Sequence, residues 1–290
     1  MSTPRTVVLY HGGCPDGFGG AYAAWKKFGD VAEYIELSRG DELPLTICEG
    51  ADVYFIDFTY NSKEDMAQFE RVAHSLTVLD HHEGVEDITR SVKNHVYDIA
   101  RSGASIAWDY FHPNTTRPKL INILEDDDLF LFSLSDTRPV ISYLGLHPFT
   151  FQFWDETMEI LEDPQKSEAL LATARIYGEC FEKLADLAVA RAKMVSFEGF
   201  TCAFATAHPY KPIKSLVGNL LAKKFPPLAL VVSAHPNGYG VSIRGDGSVD
   251  VAKIAEKFGG NGHRSSAGFL IPREGPFPWT LIETDENSSN

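Results

Sequence analysis

Three short runs of consecutive apolar residues mark the first eighty positions of the chain: Val7 to Tyr10, Val53 to Ile56 and Leu76 to Leu79. Unbroken Val, Leu, Ile and aromatic character, without polar alternation, is the pattern of strands buried on both faces. Helix-period stretches separate them, Gly19 to Phe28 after the first and Ser62 to Ala73 after the second, and a further strand is expected at Ala32 to Leu37. This alternation predicts an α/β fold with a doubly wound, mostly parallel sheet. Helices are expected at Ser102 to Phe111 and Lys119 to Leu131, and polar helical patterning runs from Asp155 to about Met194 across a break at Pro164. A smaller α/β unit with a mixed sheet follows, its strands at Thr201 to Ala205, Ala229 to Ala234 and Tyr239 to Arg244, its helices at Leu216 to Lys224 and Val251 to Phe258. The expected domains are 1–154, a helical linker 155–194, and 195–290 with a frayed tail after Pro276.

Composition adds location and charge. With 44% hydrophobic and 23% charged residues the chain reads as globular. The apolar run near the N-terminus is too short for a signal core or a membrane span, so a cytoplasmic protein without a membrane partner is expected. Cys14, Cys48, Cys180 and Cys202 form no C-x-x-C pair, which fits a reducing compartment. A net charge of -14 argues against long duplex nucleic acid as a partner. Its distribution is uneven: Arg191 to Arg273 holds 11 Lys and Arg against 4 Asp and Glu, a net of +7, and the remainder carries -21. An acidic part suited to cations precedes a basic part suited to phosphates.

Polar residues capable of binding metal follow each of the three apolar runs. They are His11 to Asp16, then Asp57, then Asp80-His81-His82. In open α/β sheets the ligand crevice lies beyond the carboxyl ends of the strands, so these groups are expected to converge. A carboxylate with two imidazoles offers oxygen and nitrogen donors suited to manganese-type ions, against the plainer reading of a polar loop. Asp57 is read either as a ligand or as a helix cap. The run Glu125-Asp126-Asp127-Asp128 is a solvated helix face unless cations offset it, and it does not tell Asp126 from Asp128. Gly259 to Gly268 offers backbone N–H groups at Gly260 and Gly262 with His263 and Arg264 for a phosphate, or else a surface turn; Arg244 offers a second phosphate clamp, or else is a surface arginine of no consequence. Phe149 to Trp154 offers either a surface for a homodimer or packed core.

From about Val7 to Phe269 the ordered set resembles the DHH phosphoesterases with their DHH-associated C-terminal domain. His11 to Asp16 stands as the first motif, Asp57 as the second, Asp80-His81-His82 as the third and Asp126 as the fourth. Gly259 to Gly268 resembles the GGGH-x-x-A-A-G substrate loop, with Asn261 for one glycine and Ser266 for one alanine. The resemblance implies two Mn2+ ions, with Mg2+ as the other candidate, and a cleft between two domains in which substrate is held. Asp57 is then the bridging ligand, completed by His11, Asp16, His81 and Asp126, with Asp80 and His82 orienting ligands or moving the leaving-group proton. Arg244, His263 and Arg264, with Gly260 and Gly262, are the substrate-binding set. The implied substrates are short oligonucleotides, degraded by a 3'-5' exonuclease, or small phosphorylated nucleotides; inorganic polyphosphate or pyrophosphate is the alternative. The first motif departs from the family's Asp-x-Asp, because either Cys14 or Phe18 stands where an acid is usual. One metal position is thereby compromised, and a catalytically weak nucleotide-binding module enters as a reading of another class.

Overall fold

The computed structural model describes residues 4–38 and 40–282. It divides into two compact units, Met1–Gly178 and Glu179–Asn290, a division that falls inside the segment 155–194. In the first unit, strands and helices alternate as β1 (Thr6–His11), α1 (Pro15–Phe28), β2 (Glu33–Leu37), α2 (Leu45–Cys48), β3 (Asp52–Ile56), α3 (Lys63–Val72), β4 (Ser75–Asp80), α4 (Glu86–Thr89) and β5 (Asn94–Tyr97). Helices α5 (Gly103–Phe111), α6 (Lys119–Asp128), α7 (Thr137–Gly145) and α8 (Phe151–Glu162) follow, and the long α9 (Ser167–Ala190) runs on into the second unit. All five strands pair in parallel, in the order β2-β1-β3-β4-β5.

The apolar runs are continuous because both sheet faces are covered. Val8, Tyr10, Ile56 and Leu79 pack with residues of α1, α5, α6, α7 and α8, whereas Val7, Leu9, Val53, Phe55, Leu76 and Val78 pack with Met66 and Phe69 of α3. The period of two along each strand sorts neighbours to opposite faces. Trp154 is fully buried, and its loss would cost about 3–5 kcal/mol. Phe149, Phe151 and Trp154 pack around Phe18 with ring centroids 5.3, 5.0 and 4.9 Å away, so the Phe149 to Trp154 stretch serves as core. Besides the single-turn α2 and α4, two elements of this unit escape the sequence pattern: β5 is a half-buried edge strand of mixed polarity, and α7 carries Pro139 in its first turn, where proline is tolerated.

The second unit adds β6 (Lys193–Phe197), β7 (Phe200–Thr206), α10 (Lys211–Lys224), β8 (Leu228–His235), β9 (Gly238–Gly245), α11 (Val251–Glu256), β10 (Asn261–His263), β11 (Ser266–Pro272) and β12 (Thr280–Leu281). Its mixed sheet runs β10-β11-β9-β8-β7-β6-β12, and only the β7/β8 pair is parallel. The Gly259 to Gly268 segment, expected as a loop, contains a tight hairpin in which Asn261 pairs with Gly268 and His263 with Ser266. Gly262 sits at φ 155°, where a Cβ would lie 2.3 Å from Ala267 Cα, so the hairpin itself demands this glycine. The expectation of a tail frayed from Pro276 is corrected: Trp279 packs against Phe204, with ring centroids 5.3 Å apart, and β12 pairs with β6. The rest of that tail, 283–290, lies outside the described residues.

Candidate metal centre and a buried arginine

Strand register brings the chemistry together. Tyr10 pairs with Ile56 and Ile56 with Leu79, so the next residues, His11, Asp57 and Asp80, stand at one level on three adjacent strands. That level lies at the β1/β3 switch in strand order, where this topology leaves a crevice. Asp57 leaves its strand at φ 57°, a left-handed conformation that aspartate tolerates better than most residues. Its carboxylate, 2% exposed, lies 3.3 Å from His11 Nδ1 and 3.1 Å from His81 Nε2. Burial alone would raise its pKa, but hydrogen bonds from His11 and His81 and the adjacent imidazole charges hold it well below the carboxylate range.

Asp16, in the first turn of α1, accepts hydrogen bonds from the Gly103 and Ala104 amides at 2.6 and 3.0 Å. These are orphan donors at the N-terminus of α5. A Cβ on Gly103 would lie 2.5 Å from Asp57 Cβ, so only glycine lets the helix end come this close. His81 Nε2 lies 3.9 Å from Asp16 and 3.4 Å from Asp128. Burial and then the Asp57 charge push Asp16 up to about 7; burial and the charges of Asp16 and Asp57 push Asp128 up to about 8. Burial opposes the charged form of His81, yet its hydrogen bond to Asp57 and the surrounding carboxylates lift it to about 10. The cluster thus demands positive charge at its centre.

Asp80 has a different role from its neighbours. One oxygen accepts from the His81 and His82 amides and from His82 Nδ1 at 2.7, 3.1 and 2.7 Å, and the other accepts from Thr59 Oγ1 at 2.5 Å. With both oxygens occupied and no exposure, it holds the His81-His82 turn and the His82 ring in place. Thr59, itself beside Thr89 at 3.0 Å, was not foreseen; a lone threonine after a strand carries no sequence signal.

The acidic run divides by function. Glu125 pairs with Arg117 at 3.0 Å and accepts from Ser105. Asp126, expected as the fourth-motif ligand, accepts from the Ser133 amide and hydroxyl at 2.8 and 2.6 Å, from the Leu134 amide at 3.2 Å and from Thr137 Oγ1. Its lone pairs are committed to the loop after α6, and that expectation is corrected: Asp128, two residues on, is the acid beside His81. In the first motif the structure separates the two alternatives. Phe18 lies in the aromatic core, whereas Cys14 lies with His11 and Asp57. Three donor groups result, His11/Cys14/Asp57, Asp57/His81/His82 and Asp16/His81/Asp128, each with its ligand atoms within 4.8 Å of one another.

In the second unit Arg244 on β9 is only 9% exposed. Nη2 donates to Ser215 Oγ on α10 at 3.0 Å and Nη1 to the Ile243 carbonyl at 3.1 Å, while Nε has no hydrogen-bond partner among the described residues. Gly218 makes room for it, since a Cβ there would lie 2.6 Å from Arg244 Cγ. Burial lowers the guanidinium to about 10. Arg264 is exposed and donates to the Gly247 carbonyl at 3.2 Å. The Gly260 amide, expected to face a phosphate, is spent on the Ala255 carbonyl at 2.9 Å, which corrects that expectation. Gly262 pairs with Ala267 and His263 with Ser266 through the hairpin, and the His263 side chain lies outside the described structure.

No family model matches the chain. It is 27% identical over 287 residues to the uncharacterised protein R106 of Acanthamoeba polyphaga mimivirus, covering 91% of this chain and 67% of that one. Among solved structures it is similar to a DHH domain from a member of a family of ribosomal proteins, with a TM-score of 0.59 and 13% identity over 92% of this chain and 82% of that one. It is also similar to a pGpG-specific phosphodiesterase from Vibrio, at TM-score 0.52 and 13% identity over 93% and 94% of the two chains. RecJ from Thermus thermophilus in complex with Mn2+ matches at TM-score 0.52 and 12% identity, over 92% of this chain and 49% of RecJ. The two-domain α/β fold is that of the DHH and RecJ proteins. No helix among the described residues is long and apolar enough to cross a membrane.

Proposed function

We propose that the chain is a divalent-metal-dependent phosphoesterase of the DHH family, acting on a small phosphorylated nucleotide or a short oligonucleotide. The observation that carries this reading is the meeting of His11, Cys14, Asp16, Asp57, His81 and Asp128 at one sheet edge in overlapping donor groups. Structures of the same fold that are named as a phosphodiesterase and as a Mn2+ complex support it. The donor chemistry fits divalent ions. Buried carboxylates that crowd together and raise one another's pKa need a cation, and imidazole nitrogens complete a mixed set suited to Mn2+ or Mg2+.

Asp16, His81 and Asp128 would hold one ion and His11 and Cys14 the other, with Asp57 common to both. Bound there, divalent ions make water a nucleophile at neutral pH and neutralise phosphoryl oxygens. The protein's own groups do the rest. Asp80 fixes the His82 ring through Nδ1, and the ring so oriented would exchange a proton with the leaving oxygen. Arg244, buried without a carboxylate partner among the described residues, is the group in the second unit best suited to a phosphate. The small basic excess there, in a chain of net -14, favours a short anion over a polymer.

The test is a substrate panel with Mn2+: short RNAs, 3'-phosphoadenosine phosphate, cyclic dinucleotides and inorganic polyphosphate. Turnover of a nucleotide substrate that disappears in Asp57→Asn supports the reading. Turnover of polyphosphate alone transfers it to the inorganic substrate class. No turnover of any, with unchanged metal content in Asp57→Asn, overturns it in favour of a silent nucleotide-binding module.

A further inference from the structure

The two ends of the candidate centre do not offer the same donors. Asp16, His81 and Asp128 bring two oxygens and a nitrogen, whereas His11, Cys14 and Asp57 bring a nitrogen, a sulfur and an oxygen. We infer, on the basis of the phosphoesterase reading, that the centre is built for two different metals, a thiolate-preferring ion such as Zn2+ at His11/Cys14/Asp57 and Mn2+ or Mg2+ at Asp16/His81/Asp128.

Helix capping does not account for sulfur at position 14. Cys14 is the N-cap residue of α1, with extended backbone at φ -124° and ψ 129°, and its side chain makes no capping hydrogen bond. Aspartate is among the best N-caps and is a harder metal ligand, so cysteine gives up both advantages here. The side chain is nevertheless buried, 7% exposed, with its Sγ within 4.8 Å of ligand atoms on His11 and Asp57. Tetrahedral ligands about 2.0–2.3 Å from zinc stand roughly 3.3–3.8 Å apart, so a modest closure of the three side chains completes the site. Pro15 at the first position of α1 and the Phe18 NH to Cys14 CO hydrogen bond at 3.0 Å fix the backbone that carries the sulfur.

The separation of the motif's two ligands completes the argument. Cys14 and Asp16 lie two residues apart at a helix start, yet they belong to different donor groups. The swap of oxygen for sulfur therefore changes one metal position and leaves the other oxygen-rich. Soft thiolate donors select zinc-like ions, whereas carboxylate-rich sets suit magnesium and manganese. A buried thiol that binds metal loses its proton, which makes the site pull further toward zinc.

The experiment uses the full chain, stripped with chelator and reloaded first with Co2+ and then with an equimolar mixture of Zn2+ and Mn2+. Near-ultraviolet absorption reports cobalt bound to thiolate, and mass spectrometry reports bound metal. A thiolate-to-cobalt band that saturates at half of the cobalt bound supports the inference. Cys14→Asp and Cys14→Ser should abolish the band, and Cys14→Asp should lower the ratio of zinc to manganese retained, whereas Asp128→Asn should keep the band. Two bound cobalt ions without the band, or an unchanged zinc preference in Cys14→Asp, overturn the inference and leave the phosphoesterase reading standing. Failure to bind cobalt, zinc or manganese at all overturns both. The band is read on the wild type, so a variant that fails to fold does not blunt the test.

Discussion

The two units bury charge of opposite sign. Among the described residues the first buries the carboxylates of Asp16, Asp57, Asp80 and Asp126, and the second buries the guanidinium of Arg244. Removing a charge from water costs several kcal/mol unless partners replace the lost hydration. The way each unit meets that cost separates support from function. Asp80 and Asp126 are surrounded by donors on both oxygens and serve the fold. Asp57 and Asp16 share imidazoles and helix-end amides in a crowded cluster, and Arg244 is left with an unpaired Nε. What sets the cluster apart is crowding: carboxylates that raise one another's pKa gather where a cation would offset them, and the guanidinium is buried where an anion would offset it.

The largest test of this contrast is Asp57→Asn. Asparagine tolerates the left-handed backbone at this position, so the variant should fold and melt close to the wild type. It removes the charge common to two donor groups, and hydrolysis should fall by about 1000-fold or more, some 4 kcal/mol of transition-state stabilisation. Bound manganese should fall with it. A variant with full metal content would break the contrast at its centre.

Next comes the pair of acids at the end of α6. Asp126→Asn turns an amide toward the Ser133, Leu134 and Thr137 donors and should destabilise the first unit by about 3 kcal/mol, read by denaturant titration, with metal content unchanged. Asp128→Asn should do the reverse, with stability kept and manganese lost. Equal effects from the two would show that the acid held by the loop donors and the acid beside His81 are not distinct classes here.

Much of the centre was legible because it is written in strand ends. Val7 to Tyr10, Val53 to Ile56 and Leu76 to Leu79 read as buried parallel strands, and His11, Asp57 and Asp80 follow them at one register level. The Asp126/Asp128 choice was not legible. It depends on a loop, 129–136, folding back to present three donors to one carboxylate, with Thr137 of α7 as the fourth, and no local pattern encodes that return. Cys14 and Phe18 were equally open in sequence, and only the aromatic packing of Phe18 against Phe151 and Trp154 separates them. The Gly259 to Gly268 segment read as a phosphate loop because glycines serve tight hairpins as well as anions. Its Gly260 amide is committed to Ala255.

Arg244→Met sharpens the second half of the contrast. A thioether fills much of the same channel beside Gly218 and removes an unmatched charge, so stability should hold or rise by about 1–2 kcal/mol. Binding of a phosphate-bearing substrate should weaken by about 30-fold, some 2 kcal/mol, seen as a raised KM with kcat little changed. A clear loss of stability would place Arg244 with Asp80 and Asp126 as a supporting group.

The smallest effect is expected at Thr59. Its hydroxyl holds the oxygen of Asp80 that the histidines do not use, and Asp80 in turn sets the His82 ring. Thr59→Val keeps the shape and removes the donor, so kcat should fall by about 10-fold, the lower end of what is lost when a partner that orients a site residue is removed, with KM and metal content unchanged. Thr59→Ser restores the donor and should recover most of the loss. If serine rescues nothing, the threonine matters for packing alone, and Asp80 holds His82 without help from the other side of its carboxylate.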